Sequence, residues 1–409
     1  MSKEFINMLY LFGAAANGKD IDIKYCENLS KIRSHALSQE VWDVVYAGVR
    51  GKVASGEINI PTEVYQRLEK TFMSNVVLNI RRVEFNLDTI RELEKNDIKC
   101  CVLKGITVAN LYSMPETRIS SDMDILIDEK DEKKVKEILA VRGYKTEERN
   151  KNDHHMKAHH DIGGLLEIHV ALYSDTTKEI IFDDVISYDE EFTKLENGIY
   201  SLGVNDALLY LTAHLIKHLI VDGAGIRQMM DLLLYMKKYE EVIDWEKYNA
   251  IIKRLGYDNF IAVIKGIGVK YWGMNFKDAV TQGNGMEELL EDCEIGGLFS
   301  VTEKERKAFY YLYTQRRADN DNISHSLYRL SKSEIGALRE IFPPLTTMKK
   351  RFSYVDKFTI LLPIGWIHRI VELVLKQMGI IKETDKNLTV NQRRMRMVEK
   401  LGMLKNGEN

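Results

Sequence analysis

The run Ser121-Asp122-Met123-Asp124-Ile125-Leu126-Ile127 constrains this chain more than any other. Polar and apolar residues alternate along it, the pattern of a strand with one buried face. Residues two apart on a strand share a face. Asp122 and Asp124 therefore project together, while Met123, Ile125 and Ile127 point into a core. Two carboxylates held side by side repel each other unless a cation lies between them. A pair of divalent ions about 3.5–4 Å apart fits such a gap and can clamp a phosphoryl group. Oxygen ligands favour Mg2+ or Mn2+ over Zn2+. Alone, D-x-D reads equally as an edge strand with solvated acids. Its surroundings give it weight.

Ahead of it, Ile98 to Leu103 is a short apolar run, consistent with a buried strand, and Lys104-Gly105 ends it. Ile106 to Tyr112 suits a helix of two turns, and Pro115 marks a turn. Lys130 to Arg142 reads as a helix stopped by Gly143, and Tyr144 to Glu147 as a strand. Leu165 to Leu172 is a further strand. Its Leu166, Ile168 and Val170 share one face, and Glu167 and His169 share the other. An acid in so apolar a strand needs a partner, because burying a lone charge is very costly. A third metal carboxylate, Glu167, fits that need. Residues 98–204 thus read as an α/β module.

Helices flank the module. In 1–97, Pro61-Thr62-Glu63 resembles a helix start with Thr62 as cap. Val64, Leu68, Phe72, Val76 and Ile80, then Leu87, Ile90 and Leu93, form an apolar stripe. A helical domain is expected over 205–300. There His214 and His218, four apart, share a face, and with Arg227 and Asp231 they form either a polar patch facing the sheet or satisfied core groups. Residues 301–409 read as a helical C-terminal region with a basic tail. A loop is expected at Ala318 to Asn322, and a boundary at Pro343-Pro344. The basic segment Gln392 to Met397 reads as a solvated helix face or loose tail rather than a peripheral membrane or RNA contact. The histidine-rich stretch Asp153 to Asp161 matches no closed zinc spacing and reads as a polar strand or loop edging the site.

Composition narrows the function classes. A net charge of -3 over 409 residues gives no global basic field for nucleic acid. The four cysteines form no C-x-x-C pair and read as reduced, buried thiols. The N-terminus lacks a signal-peptide pattern, and no run approaches the roughly 20 apolar residues of a membrane span. A cytoplasmic protein without integral membrane association is expected.

The run VLKGITVANLYSMPETRISSDMDILI, with LLEIHVAL after it, resembles the uncharacterised nucleotidyltransferase family of the polymerase-beta superfamily. The matching residues are Leu103-Lys104-Gly105, then Arg118, Asp122, Asp124 and Leu126, then Glu167 and His169. The resemblance implies an α+β fold, with a small mixed sheet and helices flanked by mostly helical regions. It implies transfer of a nucleoside monophosphate from an NTP, ATP above all, to an acceptor, with release of pyrophosphate. Asp122, Asp124 and Glu167 would hold Mg2+ or Mn2+. Gly105, Lys104 and Arg118 would hold the triphosphate, and His169 would orient a ligand or the acceptor. One departure matters. The superfamily usually places Gly-Ser after the first strand, and here the pair is Gly105-Ile106. A nucleotide sensor of the same fold that has lost catalysis is the alternative. Small molecule, protein and RNA all remain open as acceptor.

Overall fold

The computed structural model describes residues 1–120, 122–149, 154–174, 177–178, 180, 192–195, 198–223, 225–277, 283–296, 303–320, 358–368 and 390–404. Met1–Arg316 with Arg394–Asn409 forms one compact unit, and Arg317–Arg393 a second. Within the second, a 3-10 turn at Thr359–Leu361 leads into helix over 362–368. The expected boundary at Pro343-Pro344 lies outside the described residues.

The first unit begins with four helices: α1 (Lys3–Ala16), α2 (Leu29–Ser38), α3 (Trp42–Ala54) and the long α4 (Thr62–Lys95). Pro61, rather than Thr62, is the N-cap of α4, and no side chain caps it. Thr62 is already helical. The apolar stripe of α4 also divides. Leu68 and Phe72 are buried against the helical body, yet Ile80 is about half exposed. Positions four apart advance 400° on a 3.6-residue helix, so a strict four-residue repeat drifts off its face within a few turns. Leu87, Ile90 and Leu93 then start a new contact, on the sheet.

The sheet follows. Its strands are β1 (Cys101–Val102), β2 (Asp122–Leu126), β3 (Lys145–Thr146), β4 (His155–His160), β5 (Gly164–His169), β6 (Thr193–Lys194) and β7 (Tyr200–Ser201). The short α5 (Ile106–Ala109) precedes β2, and α6 (Glu132–Val141) follows it. Among the described residues the spatial order is β3-β4-β5-β2-β1-β7-β6. β2 runs parallel to β5 and antiparallel to β1, so the sheet is mixed. Met123, Ile125, Ile127, Leu166 and Ile168 pack on α4 and α6 in a core of their own. The alternation expected of β2 and β5 is the one observed. The sheet's other face carries the acids.

The helical body continues with α7 (Val204–Val221), α8 (Ile226–Lys238), α9 (Trp245–Arg254), α10 (Asp258–Trp272), α11 (Met286–Gly296) and α12 (Glu303–Asn320). α12 carries helix through Ala318, Asp319 and Asn320, where a loop was expected; Asp321 and Asn322 are not described. The basic segment Gln392 to Met397 is neither loose nor wholly solvated. It lies in α13 (Val390–Lys400), in which Arg394, Met395, Met397 and Val398 are buried. The Arg394 guanidinium donates to the Leu219 carbonyl and lies over the Phe309 ring at 4.5 Å. No described helix is long and apolar enough to cross a membrane.

Candidate functional site

β2 and β5 lie in register, with Asp124 opposite Glu167, Asp122 opposite Leu165 and Leu126 opposite His169. The period-2 pleat turns Asp122, Asp124, Glu167 and His169 to one face. Asp124 is deeply buried, and Asp122 and Glu167 are partly so. Asp124 Oδ1 accepts from His169 Nε2 at 2.9 Å. Its other oxygen, Oδ2, is buried and faces Lys104. One ligand atom each from Asp124, Glu167 and His169 lie within 4.8 Å of one another. Asp122 stands at the edge of this group, bonded to Ser120 Oγ at 3.0 Å.

Lys104 is the cation between the aspartates. Its Nζ lies 3.2 Å from Asp124 Oδ2 and 3.5 Å from Asp122 Oδ2. Burial alone would lower the Lys104 pKa, but Asp124, Asp122 and Glu167 outweigh it and raise it. Burial likewise pushes Asp124 up, yet Lys104 and the His169 bond hold it well below the usual carboxylate range. Glu167 goes the other way. Burial, then repulsion from Asp124 and Asp122, pushes its carboxyl up against the pull of Lys104 and His169. Three carboxylates thus share one close lysine.

Gly105 follows Lys104 with φ +83°, a conformation that L side chains rarely adopt, and it caps α5. α5 has four residues, one turn rather than the expected two, so it has little macrodipole to offer an anion. Arg118 is not brought to the carboxylates as a free contact. It is buried and clamps Asp231 in a bidentate pair, Nε to Oδ1 at 2.9 Å and NH2 to Oδ2 at 2.6 Å. Tyr112 also donates to Asp231 Oδ1, at 2.7 Å. Arg227 donates to the Ile119 carbonyl at 2.8 Å and pairs with Glu40. Arg118, Arg227 and Asp231 therefore tie α8 to the segment leading into β2.

α7 covers the acid face. Most of its residues are buried, but His214, Lys217 and His218 are only partly so. His214 Nε2 lies 3.2 Å from Lys104 Nζ. Burial first, then Lys104, pulls His214 well below its ordinary range. His218 is pulled down by burial despite its Asp222 partner at 3.2 Å. Lys217 had no place in the sequence reading. Burial and the like charge of Lys104 lower its pKa, with Asp222, Glu167 and Asp124 opposing them. A sequence signal existed: Lys217 sits between His214 and His218 on the only polar stripe of an apolar helix.

The histidine-rich stretch is a strand from His155, and it splits. His155 pairs with His169 across β4 and β5. His160 stacks on Phe85 of α4 at 4.1 Å, away from the acids. His159 is exposed beside Glu147.

Residues 34–265, from α2 to within α10, match the family described as uncharacterised nucleotidyltransferase. No curated protein and no solved structure matches the chain.

Proposed function

The chain belongs to the uncharacterised nucleotidyltransferase family, and from that premise we propose that it is a divalent-metal-dependent enzyme moving a nucleoside monophosphate from an NTP to an acceptor. ATP is the first donor to test, and pyrophosphate is the second product. The supporting observation is the in-register pair Asp124 and Glu167 with Asp122 on the same face. The residues fit a cation. The three carboxylates outnumber the one lysine paired with them, and the ligand atoms are mostly oxygen.

Asp122, Asp124 and Glu167 would hold Mg2+ or Mn2+. The ion would neutralise charge on the transferring phosphoryl group. The remaining work belongs to the chain. Lys104, after β1, and Lys217, on α7, supply positive charge for the phosphates. One of the three carboxylates takes the acceptor's proton. The acceptor oxygen forms a bond to the α-phosphorus, and the bond from that phosphorus to the bridging oxygen breaks. Gly105 lets the chain turn sharply beside the carboxylates. His169 orients Asp124.

A second reading, a sensor that binds NTP without transfer, rests on Gly105-Ile106, where the usual serine hydroxyl is missing. Incubation with NTPs labelled at the α-phosphate and a cell extract separates the two. A labelled acceptor supports transfer. Calorimetry showing Mg2+-dependent ATP binding without any labelled product supports the sensor. Absence of both sinks the two readings together.

A further inference from the structure

Beside the carboxylates lies a second group of ligand atoms. His154, just before β4, His155 on β4 and His169 on β5 each bring one ring nitrogen within 4.8 Å of the others. The His169 ring centre is 5.1 Å from that of His154 and 5.3 Å from that of His155. His169 is 4% exposed. Its Nε2 is engaged by Asp124, and its other nitrogen, Nδ1, is buried with no hydrogen bond. A metal-bound histidine has this arrangement, its far N–H donated to a carboxylate.

We propose that His154, His155 and His169 form a site for a borderline divalent transition metal of the Zn2+ and Co2+ class, separate from the carboxylate centre. Imidazole donors select such ions and bind Mg2+ poorly. Glu167 stands 3.9 Å from both His155 Nε2 and His169 Nε2, at the border of the two groups. The ion would lock β4 to β5 and, through His169, fix the carboxylate of Asp124. Its occupancy would therefore tune the neighbouring Mg2+ centre. Metal binding here requires only the fold, while its effect on the Mg2+ centre rests on the transfer reading.

The test uses the full chain, freed of metal by chelation and titrated with Co2+ alone in millimolar Mg2+. One equivalent should bind with the visible absorption of a nitrogen-ligated ion, and Zn2+ should displace it. The double variant His154→Gln/His155→Gln should lose this binding. Asp124→Asn should weaken it roughly 10–100-fold, as the loss of an orienting partner does. Asp122→Asn and His159→Gln should leave it unchanged. On the wild-type chain, Zn2+ should protect His154 and His155 from carbethoxylation, mapped by mass spectrometry, which serves if the double variant does not fold. Co2+ binding that survives the double substitution overturns the proposal. So does displacement by millimolar Mg2+, or unprotected His154 and His155. A wild-type chain that binds Co2+ here yet transfers no nucleotide would end the transfer reading and leave this one standing.

Discussion

Two ionic clusters lie close together around the start of β2, and they are balanced differently. In the first, Arg118 holds Asp231 with two hydrogen bonds while Tyr112 adds a third, so one cation meets one anion. In the second, Lys104 alone stands close to Asp122 and Asp124, with Glu167 beside them. The first cluster is charge-neutral and its two carboxylate oxygens are occupied. The second keeps excess negative charge and a carboxyl pushed up by burial and by its neighbours. A matched pair holds elements together. From sequence alone Arg118 and Lys104 looked alike, as two basic residues near a D-x-D.

The contrast can be broken experimentally. Removing one acid from the unmatched cluster should have the largest effect. Asp122→Asn should lower the transfer rate by about a thousandfold or more, since metal-borne charge stabilisation is worth several kcal/mol. Circular dichroism and melting temperature should stay near wild type. Full activity in this variant would remove the second cluster from the chemistry.

Asp231→Ala attacks the matched cluster. It strands a buried guanidinium and should cost about 3–5 kcal/mol of stability, read as a shift of the denaturant midpoint. Calorimetry should show little change in Mg2+–ATP affinity for the folded fraction. Lost nucleotide binding at unchanged stability would reverse the roles assigned to the two clusters.

Lys217→Met should raise the KM for the NTP about tenfold, the lower end of the 1.5–3 kcal/mol for a charged hydrogen bond. Stability should hold or rise, because the like charge of Lys104 is relieved. An unchanged KM would remove Lys217 from the phosphate contacts.

The smallest effect concerns pH. His214 and His218 are held neutral in the fold, their pKa values pulled below the ordinary 6.5 by burial. The unfolded chain binds protons there that the folded chain does not. Stability is therefore present above that range and falls as pH drops through it. Denaturation at pH 7.5 and 5.5 should show the loss, and His214→Gln should reduce it. A slope unchanged by that substitution would place His214 outside this balance.

Much of the local structure was legible. The alternation in β2 and β5 gave both their dry face and their acid face. The stripe in α4 was readable, but only until its spacing outran the helix. The two-residue strands β6 and β7 carry no period, and neither does a one-turn α5. The polar stripe of α7 offered two readings, core or a patch facing the sheet, and only the structure set His214 beside Lys104.

The sequence by itself determined which residues share a face, because period 2 and period 3.6 are properties of the backbone. It thereby placed Asp122 with Asp124, and Glu167 with His169. Only the tertiary structure decided which charges meet across elements: Arg118 with Asp231, Lys104 with the aspartates and His214, His155 with His169. Those pairings depend on strand register and on how the helical body seats over the sheet. Both are set by long-range packing that no local pattern encodes.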